Sequence, residues 1–213
     1  MDGARIRYLE AGRGSPVVAL YGNEGLAPSP LHTLLAQHFR VIAVEIPGLG
    51  REPVEERPSS PREVARVLAG AAVAAGVERY VLVGTAAGAS LALWQAIDIP
   101  ERIDALVLIS PVALLPDGRT ATDGFPPDPE LARRLGDIQA ATLVLFGTND
   151  EEILPETGRM YAERITNCYY VLVYDAGHVI EAERPDALFA AVCDFVERRG
   201  TFIVERNSTA INP

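Results

Sequence analysis

The sequence predicts an α/β protein: a single-domain, doubly wound, mostly parallel sheet of about seven strands with helices on both faces. Three observations carry this. Short β-branched runs, apolar on both faces, alternate with longer amphipathic segments, as buried parallel strands alternate with their covering helices. Each run stops at a Gly, Pro, Ser or Asp, the residues that turn a chain. The order strand, helix, strand then repeats, and right-handed crossovers fold that order into one sheet covered on both sides.

The first element, Arg5 to Glu10 (RIRYLE), alternates apolar with polar, the pattern of an antiparallel edge strand. Pro16 to Leu20 (PVVAL) is apolar throughout and stops at Tyr21-Gly22. Leu31 to Phe39 reads as a helix. Arg40 to Ile46 (RVIAVEI) is the next strand and stops at Pro47-Gly48. Ser60-Pro61-Arg62-Glu63 is a capping box with proline at the first helical position. Its hydroxyl and carboxylate satisfy free backbone donors and open a helix to about Ala75. Arg79 to Val83 is a strand ending at Gly84, and Ala87 to Ile97 a helix. Ala105 to Ile109 stops at Ser110-Pro111, Ala141 to Phe146 at Gly147, and Tyr169 to Tyr174 at Asp175. Helices are expected at Pro155 to Ile165 and at Pro185 to Arg199, the latter with Leu188, Phe189, Val192, Phe195 and Val196 on one face.

Two stretches break the rhythm. Residues 112–140 contain LPDGRTATDGFPPDP and read as a short cap or excursion over the sheet edge, with a helical turn near Leu131 to Leu135 and no core role. Residues 201–213 read as one added strand, at 201–206, and a tail.

Composition narrows the function classes. The chain has 213 residues, 48% of them hydrophobic and 23% charged, which excludes coiled coil, collagen and disorder. Nineteen Lys and Arg against 29 Asp and Glu give a net charge of −10, so nucleic acid and anionic membrane surfaces are not expected partners. No apolar run reaches the roughly 20 residues of a membrane helix. The polar start MDGARIRYLE lacks a signal-peptide core. A soluble, cytoplasmic protein is expected. Two cysteines, Cys168 and Cys193, make neither a disulfide framework nor a four-ligand zinc site. No cofactor is expected.

In a parallel sheet, ligands bind outside the carboxyl ends of the strands. The loops beginning at Gly22, Pro47, Gly84, Ser110, Gly147 and Asp175 are therefore where chemistry is sought. Val83-Gly84-Thr85-Ala86-Ala87-Gly88 has the glycine spacing of a nucleophile elbow, in which the central residue stands strained at a strand-to-helix tip between small neighbours. The same residues also suit an ordinary tight strand-to-helix turn. Asp150, in Gly147-Thr148-Asn149-Asp150, can orient a histidine or simply cap a turn. Of three histidines, His32 and His38 fall in a helix, as packed or solvated side chains. His178, in Ala176-Gly177-His178, alone follows a strand.

Taken together, the three run elbow, acid, histidine at positions 86, 150 and 178. That order resembles the α/β-hydrolase fold family, and the resemblance covers nearly the whole chain. VIAVEIPGLG at 41–50 resembles that family's strand ending in a D-x-P-G-x-G loop. LVLFGTND at 143–150 and YDAGH at 174–178 resemble its acid and histidine segments. The resemblance implies Asp150 as the triad acid, His178 as the base and Ala86 at the nucleophile position. It implies an oxyanion hole from the N–H groups of Ala87 and Asn23, the latter following Tyr21-Gly22, with Gly22 and Gly25 matching the family's glycine-rich loop. For an active relative it implies a small ester, lactone or related carbonyl compound as substrate, and a homodimer as one assembly.

Three departures bear on activity. A methyl group stands at position 86, and without a lone pair no acyl-enzyme forms. Tyr21 replaces the family's usual histidine before the glycine, and Glu24 puts a carboxylate near a developing oxyanion. The stretch between the strands at 105–109 and 141–146 is about 30 residues, where relatives often insert a lid of several helices that excludes water. Substitute nucleophiles are poor: Thr85 should point away from the tip, Ser90 lies a turn down the helix, and both cysteines read as core. Arg51 is the one basic residue near the cleft, and a surface role suits it as well. The expected function is an esterase-like homologue lacking its serine, degenerate and weakly active or inactive. One alternative is an active serine hydrolase carrying an engineered serine-to-alanine change at position 86. Another is a His178–Asp150 dyad that acts as a lyase or activates water directly.

Overall fold

The structure is a computed structural model describing residues 6–20, 27–47, 60–115 and 125–198, together with the backbone of 210–211. Eight strands form one sheet: β1 (Tyr8–Ala11), β2 (Pro16–Leu20), β3 (Arg40–Val44), β4 (Tyr80–Thr85), β5 (Ile103–Ile109), β6 (Thr142–Gly147), β7 (Cys168–Val173) and β8 (Ala210–Ile211), in the order β1-β3-β2-β4-β5-β6-β7-β8. The seven expected strands are all present. Only β1 runs antiparallel, pairing Tyr8 with Val44 and Ala11 with Val41. It begins three residues later than expected from the alternation and ends one residue later. The two-residue β8 pairs parallel with β7, Val173 opposite Ile211; the strand expected at 201–206 lies outside the described residues.

The helices are α1 (Pro30–Leu35), α2 (Pro61–Ala74), α3 (Ala87–Asp98), α4 (Pro129–Arg134), α5 (Thr157–Arg164), α6 (Ile180–Glu183) and α7 (Pro185–Arg198). The expected cap at Ser60 is present, its hydroxyl accepting from the Glu63 N–H. Alternate residues of the central strands point to opposite faces. Leu82, Leu106, Leu108, Val144 and Phe146 join the core under α2, α3 and α5, together with Trp94 and Tyr161. Val81, Val83, Val107, Leu143 and Leu145 join the core under α1 and α7, with Leu31, Leu35, Leu188 and Phe195. Burial of that kind, at about 25 cal/mol per Å² of apolar surface, is the main stabilising force.

The excursion after β5 differs from expectation in one respect. Leu114, Leu131, Leu135 and Ile138 are core residues, none more than 4% exposed. Their apolar spacing over a Pro- and Asp-rich background hides this in the sequence. Asp128 fixes the segment: its Oδ1 caps α4 by accepting from the N–H groups of Glu130 and Leu131, and its Oδ2 accepts from Trp94 Nε1. Arg62 lies over the face of Trp94 at 4.7 Å and forms a two-pronged pair with Asp98. Among the described residues, no helix is long and apolar enough to cross a membrane.

Candidate active site

The carboxyl ends of β4, β5, β6 and β7 lie side by side, and the backbone strain of the described residues collects there. The non-glycine residues with positive φ are Ala86 (49°), Ser110 (42°) and Asp175 (55°), which follow β4, β5 and β7. Such conformations cost about 1–3 kcal/mol each and cluster at functional sites.

Ala86 has φ 49° and ψ −117° between β4 and α3, the strained tip that the glycine spacing predicted. The glycines are there because nothing larger fits. A Cβ on Gly88 would stand 2.2 Å from the Leu20 carbonyl oxygen, and one on Gly84 would stand 2.7 Å from the Ala89 Cα. The Ala86 N–H donates to the Ile109 carbonyl at 3.0 Å, tying the tip to β5. Ala87 opens α3, and a first-turn N–H has no acceptor within its helix. The resemblance to the family implied this N–H as one oxyanion donor. The other expected donor, Asn23, lies outside the described residues, as do Tyr21, Gly22, Glu24, Gly25, Arg51 and residues 48–50.

Asp150 and His178 meet. Nδ1 of His178 lies 2.9 Å from Oδ2 of Asp150, whose side chain is fully buried while the imidazole is 18% exposed. Oδ1 of Asp150 accepts from the N–H groups of Glu152 and Ile153 at 3.0 and 2.8 Å. The carboxylate is thereby fixed as an acceptor, so Nδ1 carries the proton and a neutral imidazole presents a lone pair on Nε2. The hydrogen bond to Asp150 raises the His178 pKa against the opposing effect of burial, and the charges of Asp150, Glu152 and Glu181 add to the rise.

The histidine loop is held along its length. The Tyr174 carbonyl accepts from Arg184, and the Asp175 N–H donates to Thr148 Oγ1. The Ala176 carbonyl accepts from the Asn149 N–H. The Gly177 N–H donates to Glu183, and the His178 carbonyl accepts from Ser110 Oγ at 3.0 Å. Gly147 is obligatory here as well, since a Cβ would lie 2.2 Å from the Ala176 carbonyl oxygen. Sequence reasoning missed these supports. The serine at a strand end before Pro111 was a visible signal for Ser110; Glu183 left none, because α6 is too short to read.

The other candidates keep bland roles. His32 is 6% exposed, and burial lowers its pKa to about 4; it caps α1 reciprocally with Ser29. His38 packs against Phe189, with ring centroids 5.5 Å apart. Thr85 and Ser90 are buried, and Thr85 Oγ1 has no hydrogen-bond partner among the described residues. Burial pushes the Cys168 thiol up to about 12 and the Cys193 thiol up to about 11, so neither is a ready thiolate nucleophile. No cluster of three or more His, Cys, Asp or Glu with metal-holding geometry occurs among the described residues.

A sequence model described as the alpha/beta hydrolase family matches residues 20–139, more than half of the chain. The dihydrolipoyllysine-residue acetyltransferase component of the acetoin cleaving system of Cupriavidus necator is 30% identical over 115 residues, covering 53% of this chain and 31% of that protein. The 2-hydroxy-6-oxo-6-(2'-aminophenyl)hexa-2,4-dienoic acid hydrolase of Metapseudomonas resinovorans is 24% identical over 261 residues, covering 92% of this chain and 89% of that protein. The chain thus spans under a third of the first relative and most of the second. Among solved structures, a serine-to-alanine mutant of a meta-cleavage product hydrolase from Pseudomonas fluorescens, complexed with acetates, superposes with a TM-score of 0.77 at 19% identity. It covers 91% of this chain and 94% of that one, a likeness of fold.

Proposed function

This chain belongs to the alpha/beta hydrolase family, and on that premise we propose that it is an esterase-like hydrolase homologue without a serine nucleophile, weakly active or inactive toward esters, whose cleft takes a small ester or related carbonyl compound. One observation carries the reading: the strained elbow is kept, and its tip is the methyl of Ala86. In a working relative the tip hydroxyl gives its proton to the histidine and attacks the carbonyl, while backbone N–H groups hold the oxyanion. Here the acceptor for that proton is present and the attacking oxygen is absent. Without one triad member, roughly 10³ to 10⁴-fold catalysis over water remains from binding and the oxyanion donors in a serine protease.

The test is ester hydrolysis and fluorophosphonate labelling of the unmodified chain beside Ala86→Ser. The unmodified chain is expected to form no adduct and to hydrolyse a small aryl ester at or near the background rate. The variant is expected to gain an adduct with modest turnover, since Tyr21, Glu24 and the short excursion also depart from the family. Turnover restored to the level of an efficient serine hydrolase instead favours the alternative in which alanine stands for the serine of a working enzyme. Rapid ester turnover with an acyl-enzyme burst in the unmodified chain overturns the proposal.

The bond between Asp150 and His178 favours a second reading, in which the pair draws a proton directly from water at the tip. Turnover by this route is lost in His178→Ala. It rises with pH through a midpoint above the ordinary imidazole value, because the base must be neutral and its pKa is raised.

A further inference from the structure

We propose that Ser110 is a positioning residue for His178: its buried hydroxyl fixes the main chain of the histidine and so holds the imidazole against Asp150. The inference rests on the reading of His178 and Asp150 as the proton-accepting pair, and it names the group that keeps them aligned.

Ser110 follows β5, between the strand that ends at the elbow and the strand that leads to Asp150. It is fully buried. Its N–H donates to the Leu145 carbonyl at 2.9 Å, which anchors it on β6. Its Oγ donates to the His178 carbonyl at 3.0 Å, a contact across 68 residues of sequence. The preceding residue, Ile109, accepts from the N–H of Ala86. Two consecutive residues therefore connect the elbow tip, the acid strand and the histidine loop.

The backbone makes the serine informative. Its φ of 42° is left-handed, and the residue before a proline ordinarily prefers extended conformations. Glycine would adopt this φ without steric cost, and the chain uses glycine at other positive φ values, Gly12, Gly14 and Gly76. A side chain retained in a strained, fully buried position is explained by the bond it makes. Among the described residues that hydroxyl makes no other polar contact, and its bond is directed at the histidine loop. The loop's further supports, at Tyr174, Asp175, Ala176 and Gly177, all act before His178. Ser110 alone, among the described residues, holds the carbonyl of the histidine itself.

Proton NMR of the unmodified chain, Ser110→Ala, Ser110→Gly and Asp150→Asn tests this without requiring turnover. The unmodified chain should show a far-downfield Nδ1–H resonance and an imidazole titration above its ordinary value. Ser110→Ala should broaden or lose that resonance and lower the titration midpoint by about half a pH unit or more, as a weakened carboxylate contact does. Ser110→Gly, which relaxes the strained φ but also lacks the hydroxyl, should show the same change. Either variant melting at a lower temperature with the His178 signals unmoved makes Ser110 a packing residue and overturns the proposal. If the unmodified chain lacks the resonance and Asp150→Asn changes nothing, the pair itself is not formed. The functional reading then fails first, and the role of Ser110 with it.

Discussion

Position 86 holds the most unusual residue in the described chain. Alanine there carries the backbone cost of an elbow, φ 49° and ψ −117°, with no hydroxyl to justify it. The cost gives a stability prediction independent of any activity. Ala86→Gly should stabilise the fold by about 1 kcal/mol, the strain relieved less the extra chain entropy of glycine, as read from urea unfolding. A loss of stability would mean that the tip is not left-handed. The glycine spacing around position 86 was legible because steric exclusion is local and writes itself into adjacent residues. His178 was legible for a different reason: it is the one histidine of three that follows an apolar strand run. Ser110 was only half legible: its place at a strand end shows in the sequence, but its partner lies 68 residues away and no local pattern encodes that contact.

At the scale of elements, the joint between β4 and α3 depends on how closely the helix start approaches β2. The Leu20 carbonyl oxygen lies where a Gly88 Cβ would have to go, and the neighbour is backbone, which cannot swing aside. Gly88→Ala should therefore cost about 3 kcal/mol, the upper end for overpacking, and lower the unfolding midpoint accordingly; a near-neutral change would show that the helix start is not seated on β2. Apolar runs and capping residues revealed nearly every strand and helix, since both are local signals. The excursion was misread because its core contacts, Leu131 and Leu135, sit among prolines and aspartates. Sheet order and register, β3 beside β1 and β2 beside β4, came only with the structure: pairing partners are set by long-range packing that no single segment declares.

For the whole molecule, two histidines with opposite shifts shape the dependence of stability on pH. His178 has its pKa raised in the fold, so its contribution is full below the unfolded value of about 6.5 and fades as pH rises through the folded value. His32 is buried with its pKa lowered to about 4, so its contribution is full above about 6.5 and is lost as pH falls toward 4. That loss is about 3 kcal/mol at 1.36 kcal/mol per pH unit. Stability should peak near pH 6.5. Asp150→Asn should flatten the alkaline side, and His32→Gln the acid side, both read from urea midpoints across pH 4 to 9. A profile unchanged by either substitution would contradict the assigned environments.

The same whole-molecule arrangement supports the central claim, that the chain carries a strained elbow and an Asp150–His178 pair but lacks the attacking oxygen at the tip. Intact-mass spectrometry after fluorophosphonate treatment measures this directly. The account predicts no adduct on the unmodified chain and a single adduct at position 86 in folded Ala86→Ser. An adduct on the unmodified chain, or none on the folded variant, would contradict it.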